Sequence, residues 1–397
     1  MPAPAGTDAK RPKDRRDRIL DVAAELIADR GFAAVSMQDI GEGTGITGGA
    51  IYRHFPSKHT VLQTLLEETI AMWLARARSV RASCVAVGTP VLRPLIDDAL
   101  TTVADHRGRV ATYVRERHRV EPAARMSIVR NELDLDVCWR EAILERQPGL
   151  DRSDLAARQQ AVVGVLGALS RKPAVLGVSR VGELVAEGLE SMAASTPVAA
   201  GPTEPRAAGW EGPVTRRQQI ISTAMTLFSE RGFHGVGLNE VGEALGIAGP
   251  SIYEYFEGKI DILLDAFDQS GAFVIAGAMT AVRQASSAED ALDRLIASFV
   301  AICSEYVDLI VVTSREGGSL PVAERPRLTR RRRDLHETWI AVLREVRPAV
   351  SPIEARALVR CSFALIQQVC RVSPERRLAP ARITALVRPF IAPDPGE

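Results

Sequence analysis

The chain repeats itself. Aligning Gly31-Phe32 with Gly232-Phe233, an offset of 232 − 31 = 201, keeps the register without a gap from Arg16 to Leu62. Of those 47 positions 18 are identical, among them Ile19, Ala23, Leu26, Gly45, Ile46, Ile51, Tyr52, Phe55 and Lys58. Further along the offset becomes 315 − 115 = 200, where Arg115-Glu116 matches Arg315-Glu316 and Trp139 matches Trp339. A repeat of this length makes each half a folding unit of its own size and requires the two folds to be alike. Residues 191–213, rich in Ala, Pro and Gly and without periodic apolar positions, read as the linker between them.

The apolar pattern is helical throughout. Ile19, Leu20, Ala23, Leu26 and Ile27 recur on one face of a helix, and Ile220, Ile221, Ala224, Leu227 and Phe228 repeat the stripe. No stretch alternates with period two, so an all-α protein is expected. Within each half the first 50 or so residues break into three short helices. The first ends at Gly31 or Gly232, and Ser36 offers an N-cap for the second, whose inner face carries Met37 and Ile40. Gly45 forces a turn, Ile46 tucks beneath it, and Thr47 caps a third helix on which Ile51 and Phe55 point inward. Helix, glycine turn and second helix make a helix-turn-helix. Gly48 and Gly49 at a helix start are poor for stability but allow a close backbone approach to another molecule.

Composition narrows the class. The 397 residues are 25% charged and 46% hydrophobic with a net charge of +1, which excludes a wholly basic coat protein but not local basic patches. Five scattered cysteines, none in a CxxC pair, read as reduced thiols and not as disulfides or zinc ligands. The N-terminus has no apolar core of a signal peptide, and no apolar run approaches the roughly 20 residues of a membrane span. A cytoplasmic protein is expected. No phosphate-cradling glycine loop, GxSxG elbow, metal cluster or paired His/Cys setting is present, so neither an enzyme nor a cofactor is expected.

The stretch "RILDVAAELIADRGFAAVSMQDIGEGTGITGGAIYRHFPSKHTVL" and its echo "QIISTAMTLFSERGFHGVGLNEVGEALGIAGPSIYEYFEGKIDIL" resemble the tetracycline-repressor (TetR) family of bacterial transcriptional regulators. Gly-Phe, the Gly-Ile turn, Ile-Tyr-x-x-Phe and the following Lys fall in register twice, over about a quarter of the chain. The resemblance implies a basic arm at 1–13, helix-turn-helix domains at 14–64 and 214–261, and helical ligand and dimerisation domains at 65–190 and 262–391. It also implies a DNA-binding, ligand-responsive repressor whose third helix enters the major groove. Thr47, Gly48, Gly49 and Ala50 would then face bases or backbone. Tyr52, His54 and Lys58 would hold phosphates, with Ser36 and Arg53 nearby. The matching positions in half two are Ala248, Gly249, Pro250, Ser251, Tyr253, Glu254, Tyr255 and Lys259.

The halves differ where this matters. Half one is preceded by Lys10, Arg11, Lys13, Arg15, Arg16 and Arg18; half two has Arg216 and Arg217. Glu254 stands where half one has Arg53. Half one is therefore expected to supply most of the affinity, while half two reads another half-site, binds weakly, or serves as a protein-interaction scaffold. The resemblance implies pairing through the last two helices of each unit, about 154–170 with 179–192 and 352–372 with 380–391. One chain would then form an intramolecular pseudo-dimer, the alternative being a homodimer of tandem chains. A small apolar or lipid-like effector is expected in the regulatory domains, with Trp73, Tyr113, Arg115 and Trp139, and Phe273, Tyr306, Arg315 and Trp339, as candidate lining residues beside the simpler reading of core packing.

Overall fold

A computed structural model describes residues 12–46, 48–120, 122–171, 180–198, 215–247, 249–372 and 378–393. The expected roles of Lys10, Arg11, Thr47, Ala248 and most of the linker fall outside these residues, and for Lys13, Gly48, Gly249 and Pro250 only the backbone is described. Among the described residues there are α-helices and short 3-10 turns and no strand. The chain divides into two compact units, Met1–Trp139 with Ser170–Pro173, and Arg140–Leu169 with Ala174–Glu397. The division falls inside the first repeat: the end of α7 (Pro122–Arg146), α8 (Arg152–Ser170) and α9 (Val181–Ala194) are grouped with the second half. Helix α9 also continues to Ala194, into the segment read above as linker.

In the first unit α1 (Pro12–Arg30), α2 (Met37–Thr44) and α3 (Gly48–Ile51) surround Ile19, Leu20, Ile40, Ile51 and Phe55, all buried. Local chemistry sets the breaks. The Ser36 hydroxyl accepts from the Asp39 amide while the Asp39 carboxylate takes the Ser36 amide, a reciprocal cap that starts α2. Gly45, at φ 71°, ends α2 in the left-handed region that a side chain resists. Ser57 caps α4 (Lys58–Val87), whose buried Val61, Leu62, Leu65 and Leu66 close the core. Helix α5 (Leu92–Asp105) packs on α4, and α6 (Arg107–Glu116) lies along α1.

The second unit repeats the plan with α10 (Arg216–Arg231), α11 (Leu238–Ala244), α12 (Gly249–Ile252) and α13 (Lys259–Arg283) around Ile220, Phe228, Val241, Ile252 and Phe256. Helices α14 (Ala288–Glu305), α15 (Val307–Arg315), α16 (Arg325–Val346), α17 (Pro352–Cys370) and α18 (Pro380–Ile391) follow. Contrary to the expectation from apolar runs, α13 contains an 18-residue window of mean hydropathy 1.3, which is long and apolar enough to span a bilayer. It packs instead against α10, α14, α15 and α16, and Asp265 and Asp268 on it pair with Arg217 at 2.6 Å and Arg331 at 2.5 Å. All five cysteines are buried.

Within this unit α8 and α9 of the first repeat join α17 and α18 of the second. A Cβ built on Gly164 of α8 would lie 2.7 Å from the Ala364 carbonyl oxygen, and one on Gly188 of α9 would lie 2.4 Å from that of Phe390. Real Cβ atoms do not come so close, so the backbones meet only because these positions carry no side chain. Gln368 donates to Gln160 at 2.6 Å across the same contact. Arg382 of α18 binds Asp151 at 2.8 Å and also Asp154, both at the start of α8. Behind them the guanidinium of Arg158, 1% exposed, donates to the Ser195 carbonyl at 2.6 Å and closes the end of α9. Burial of both Asp154 and Arg158 disfavours their charged forms, which makes their mutual pairing and the Arg382 contact necessary.

Valine at Gly188 is expected to lower unfolding stability by about 1–3 kcal/mol through overpacking. The control Gly182→Ala on the same helix meets open space and is expected to change it by no more than about 0.5 kcal/mol. Denaturant titration of the full chain followed by circular dichroism measures both.

Candidate nucleic-acid interface

In each half the surface expected to meet DNA is built on a buried scaffold. Ile51 is 0% and Phe55 1% exposed, while Tyr52 between them is 55% exposed. The His54 and Phe55 amides both donate to the Ile51 carbonyl, at 2.8 and 2.9 Å, so the short α3 continues as a tight turn that aims Tyr52 and Arg53 outward. Half two copies this: Ile252 and Phe256 are buried, Tyr253 is 56% exposed, and the Tyr255 and Phe256 amides bond the Ile252 carbonyl. A Cβ on Gly49 would meet no atom, so nothing inside the protein demands glycine there. Exposed Arg53 and exposed Glu254 occupy the same place on the two surfaces.

Other expected contacts take different positions. Lys58 does not reach outward; its ammonium donates to the carbonyls of Phe32 and Val35 at 2.8 and 2.7 Å and sits 4.4 Å from the centre of the Phe32 ring. Lys259 does the same with Phe233 and Val236, at 2.9 and 3.1 Å, over the Phe233 ring. In this structure both ammonium groups, expected to hold phosphates, are engaged by backbone carbonyls. They tie the first residue of the fourth helix to the turn after the first helix, and burial lowers the pKa of Lys58. Ser36 is likewise committed to its cap. Arg16 and Arg217, expected in the basic arms, lie over the Phe55 and Phe256 rings and pair with Glu68 at 2.5 Å and Asp265 at 2.6 Å. Arg15 and Arg18 remain exposed.

Sequence reasoning missed how the heads are fastened to the helices behind them. In half one Arg107 at the start of α6 bridges Glu25 and Asp29, both at 2.5 Å, and Arg109 binds Asp21 at 2.7 Å. Buried Glu116 accepts from the Phe32 amide and from Arg119, with Arg115 at 3.3 Å, so the repeated Arg-Glu pair is structural in this half. In half two the corresponding contact of α15 on α10 is mostly apolar, through Leu309 and Val312, with Thr226 donating to Asp308 at 2.9 Å. The signal available in the sequence was the charge content of "DRILDVAAELIADR" against "RGRV", which alone names no pairing.

The candidate effector residues do not form one group. Trp73 and Tyr113 meet edge to face at 5.8 Å against the core of the first head, and the Tyr113 hydroxyl donates to Glu132 at 2.6 Å. Burial, reinforced by that carboxylate, pushes the Tyr113 phenol well above its usual pKa. Phe273 and Tyr306 stack at 4.7 Å. Trp139 is buried, and Trp339, 1% exposed, packs with Phe299 and Phe363, which makes Tyr113, Trp139 and Trp339 core residues. Arg315 ends α15.

Fold and surface together define a helix-turn-helix architecture that occurs twice in one chain. The sequence profile described as bacterial regulatory proteins, tetR family, matches residues 19–65 and 220–266, once in each half of the chain. The chain is similar to the HTH-type transcriptional repressor KstR2 of Mycobacterium tuberculosis H37Rv, 31% identical over 117 residues, which are 30% of this chain and 58% of the relative. KstR2 of Mycolicibacterium smegmatis is 40% identical over 63 residues, 16% of this chain and 30% of that protein. The chain thus spans between 30% and 58% of the length of these curated relatives. A tetR-family regulatory protein from Rhodococcus RHA1 of known structure aligns with 45% of this chain and 97% of its own, at 19% identity and a TM-score of 0.41.

Replacing Lys58 or Lys259 by Met is expected to destabilise the fold by about 1–3 kcal/mol, because two partly buried carbonyls lose a charged donor. The salt dependence of DNA binding is expected to keep its slope, whereas loss of a phosphate contact would lower it by about 0.9. Thermal unfolding and binding across a salt series distinguish the two.

Proposed function

We propose that this chain is a DNA-binding transcriptional repressor of the cytoplasm that grips an operator with two non-identical heads held in one polypeptide. The observation that carries the reading is the pair of matching surfaces around Tyr52 and Tyr253, each exposed on a buried three-helix scaffold. Gly49, Ala50, Tyr52, Arg53 and His54 are proposed to meet DNA from half one, with Gly48 behind them. Gly249, Pro250, Ser251, Tyr253, Glu254 and Tyr255 take the corresponding places in half two. Side chains at the start of such a helix face base edges, and those flanking it face phosphates.

The joining of α8 and α9 to α17 and α18 supports an intramolecular pseudo-dimer. It uses the surfaces through which separate subunits of the family would pair, so a single chain needs no palindromic site. Exposed Arg53 adds a cation where Glu254 adds a carboxylate beside phosphates, which supports half one as the stronger head. Glu254 retains a use, since a carboxylate accepts from the cytosine amino group. We also infer release by an effector. The coupling runs through α6 on α1 in half one and α15 on α10 in half two, elements through which a shift in the regulatory helices tilts the heads.

Footprinting on the DNA upstream of the protein's own gene tests the reading. Protection of two unlike half-sites about one helical turn apart is expected, with one chain per site by light scattering. Arg53→Ala is expected to weaken binding by about tenfold, within the range of a lost base or phosphate contact. Glu254→Gln is expected to leave affinity equal or higher and to change preference at one half-site. Absence of protection at moderate salt would overturn the proposal.

A further inference from the structure

Arg360 on α17 is half-buried, and its guanidinium has no acidic partner among the described residues. Its Nε and Nη2 are both closed to solvent and have no hydrogen-bond partner. Such nitrogens are costly to bury without an acceptor, more so on a charged group. The neighbourhood adds positive charge. His336 on α16 feels Arg332, Arg356 and Arg360 as repulsive neighbours and Glu337 as the opposing carboxylate, and its ring packs at 4.9 Å on Phe363. Glu337 is already engaged by Arg356 at 2.6 Å. Burial and these arginines lower the His336 pKa to about 4, so at neutral pH its ring is uncharged and free to donate or accept one hydrogen bond.

The repeat shows that this cluster belongs to half two alone. Helices α8 and α17 match at the offset of 200, Arg152–Ser170 against Pro352–Cys370, as do Trp139 and Trp339. At that offset Arg332, His336, Arg356 and Arg360 correspond to Glu132, Asp136, Ala156 and Gln160. Four positions that are acidic or neutral in one half are basic in the other. The bond from Gln368 to Gln160 has no counterpart, because the mate of Gln368 is Ala168, which offers Arg360's side of the repeat no acceptor.

We propose that Arg360, with Arg332, Arg356 and His336 around it, forms a binding site in the second regulatory domain for an oxyanion, the carboxylate or phosphate group of an effector. Exposed Arg332 and Arg356 draw the anion in, and the planar guanidinium of Arg360 receives it by turning its unsatisfied Nε and Nη2 edge toward them, a two-point fit that an oxyanion matches and a chloride does not. The binding itself stands apart from the DNA reading; only its regulatory consequence rests on it.

The test uses the full chain without DNA. Inorganic phosphate, pyrophosphate and acetate are titrated calorimetrically at constant ionic strength held by sodium chloride. Saturable binding of at least one is expected, with phosphates or acetate the stronger according to the headgroup for which the site is built. Arg360→Gln is expected to weaken it about tenfold or more, and Arg360→Lys less. Because two buried, unsatisfied nitrogens on a cation are unfavourable, Arg360→Met is expected to raise the thermal midpoint of the anion-free protein while abolishing the upward shift caused by the anion. No saturable binding, or binding equally strong in Arg360→Gln, overturns the proposal, and so does an Arg360→Met protein that melts lower without anion. If the anion binds as expected but footprinting shows no operator, the site stands and the DNA reading falls.

Discussion

A Cβ at position 188 would sit 2.4 Å from the carbonyl oxygen of Phe390, and one at position 164 would sit 2.7 Å from that of Ala364. Backbones this close leave no room for solvent and extend dispersion contacts along the helices on either side. Everything else about the second unit follows from that approach. Helices α8 and α9 are chemically part of the first repeat, yet they complete the apolar faces of α17 and α18, whose Leu365, Ile366, Val387 and Phe390 are buried. Asp151, Asp154, Arg158 and Arg382 form a charged cluster across the same seam, two of them nearly dry. Charges in that position contribute little net stability, but a shifted register would strand them, so they select one way of joining the helices.

The heads show the opposite balance: a conserved interior mechanism beneath divergent surfaces. Each uses one lysine to gather two carbonyls of the turn after its first helix, and one arginine stacked on the phenylalanine that follows its third helix. These contacts hold the helix-turn-helix angle without a large core, since the three helices alone bury little area. The means of attachment to the regulatory helices then differ. Half one fastens α6 to α1 with Arg107 and Arg109 on three carboxylates, whereas half two relies on Leu309 and Val312. Salt screens the first kind of contact and leaves the second nearly unchanged.

Much of this was legible beforehand. The stripe Ile19, Ala23, Leu26, the cap at Ser36 and the turn at Gly45 are local signals, and each maps onto one element within a residue or two. The pairing of the last two helices of each half was expected from the family resemblance alone, since no local signal names the partner of a helix. What escaped was set by groups distant in sequence. Lys58 looked like a surface cation because nothing nearby competes for it; its acceptors are carbonyls of Phe32 and Val35, more than twenty positions away, and backbone acceptors leave no trace in residue types. The aromatic residues offered as pocket lining, Tyr113 and Trp339 among them, carried no mark to separate core from cavity wall. Gly164 and Gly188 were indistinguishable from other helical glycines until the opposing carbonyls were placed.

A duplicated chain can change one copy without changing the other, and the two halves here have moved in opposite electrical directions at different places. On its outward head the second half exchanges Arg53 for Glu254, and among its regulatory helices it exchanges Glu132 and Asp136 for Arg332 and His336. A symmetric homodimer could not make either exchange singly, since each would appear twice and be felt at both half-sites and both regulatory domains. The covalent pair removes that constraint. On the reading proposed above, the half whose head is weakened toward DNA by a carboxylate is also the half whose interior is poised for an anion. Effector binding then biases the less tightly held head, and the free energy needed to release the operator is smaller than if both heads gripped equally.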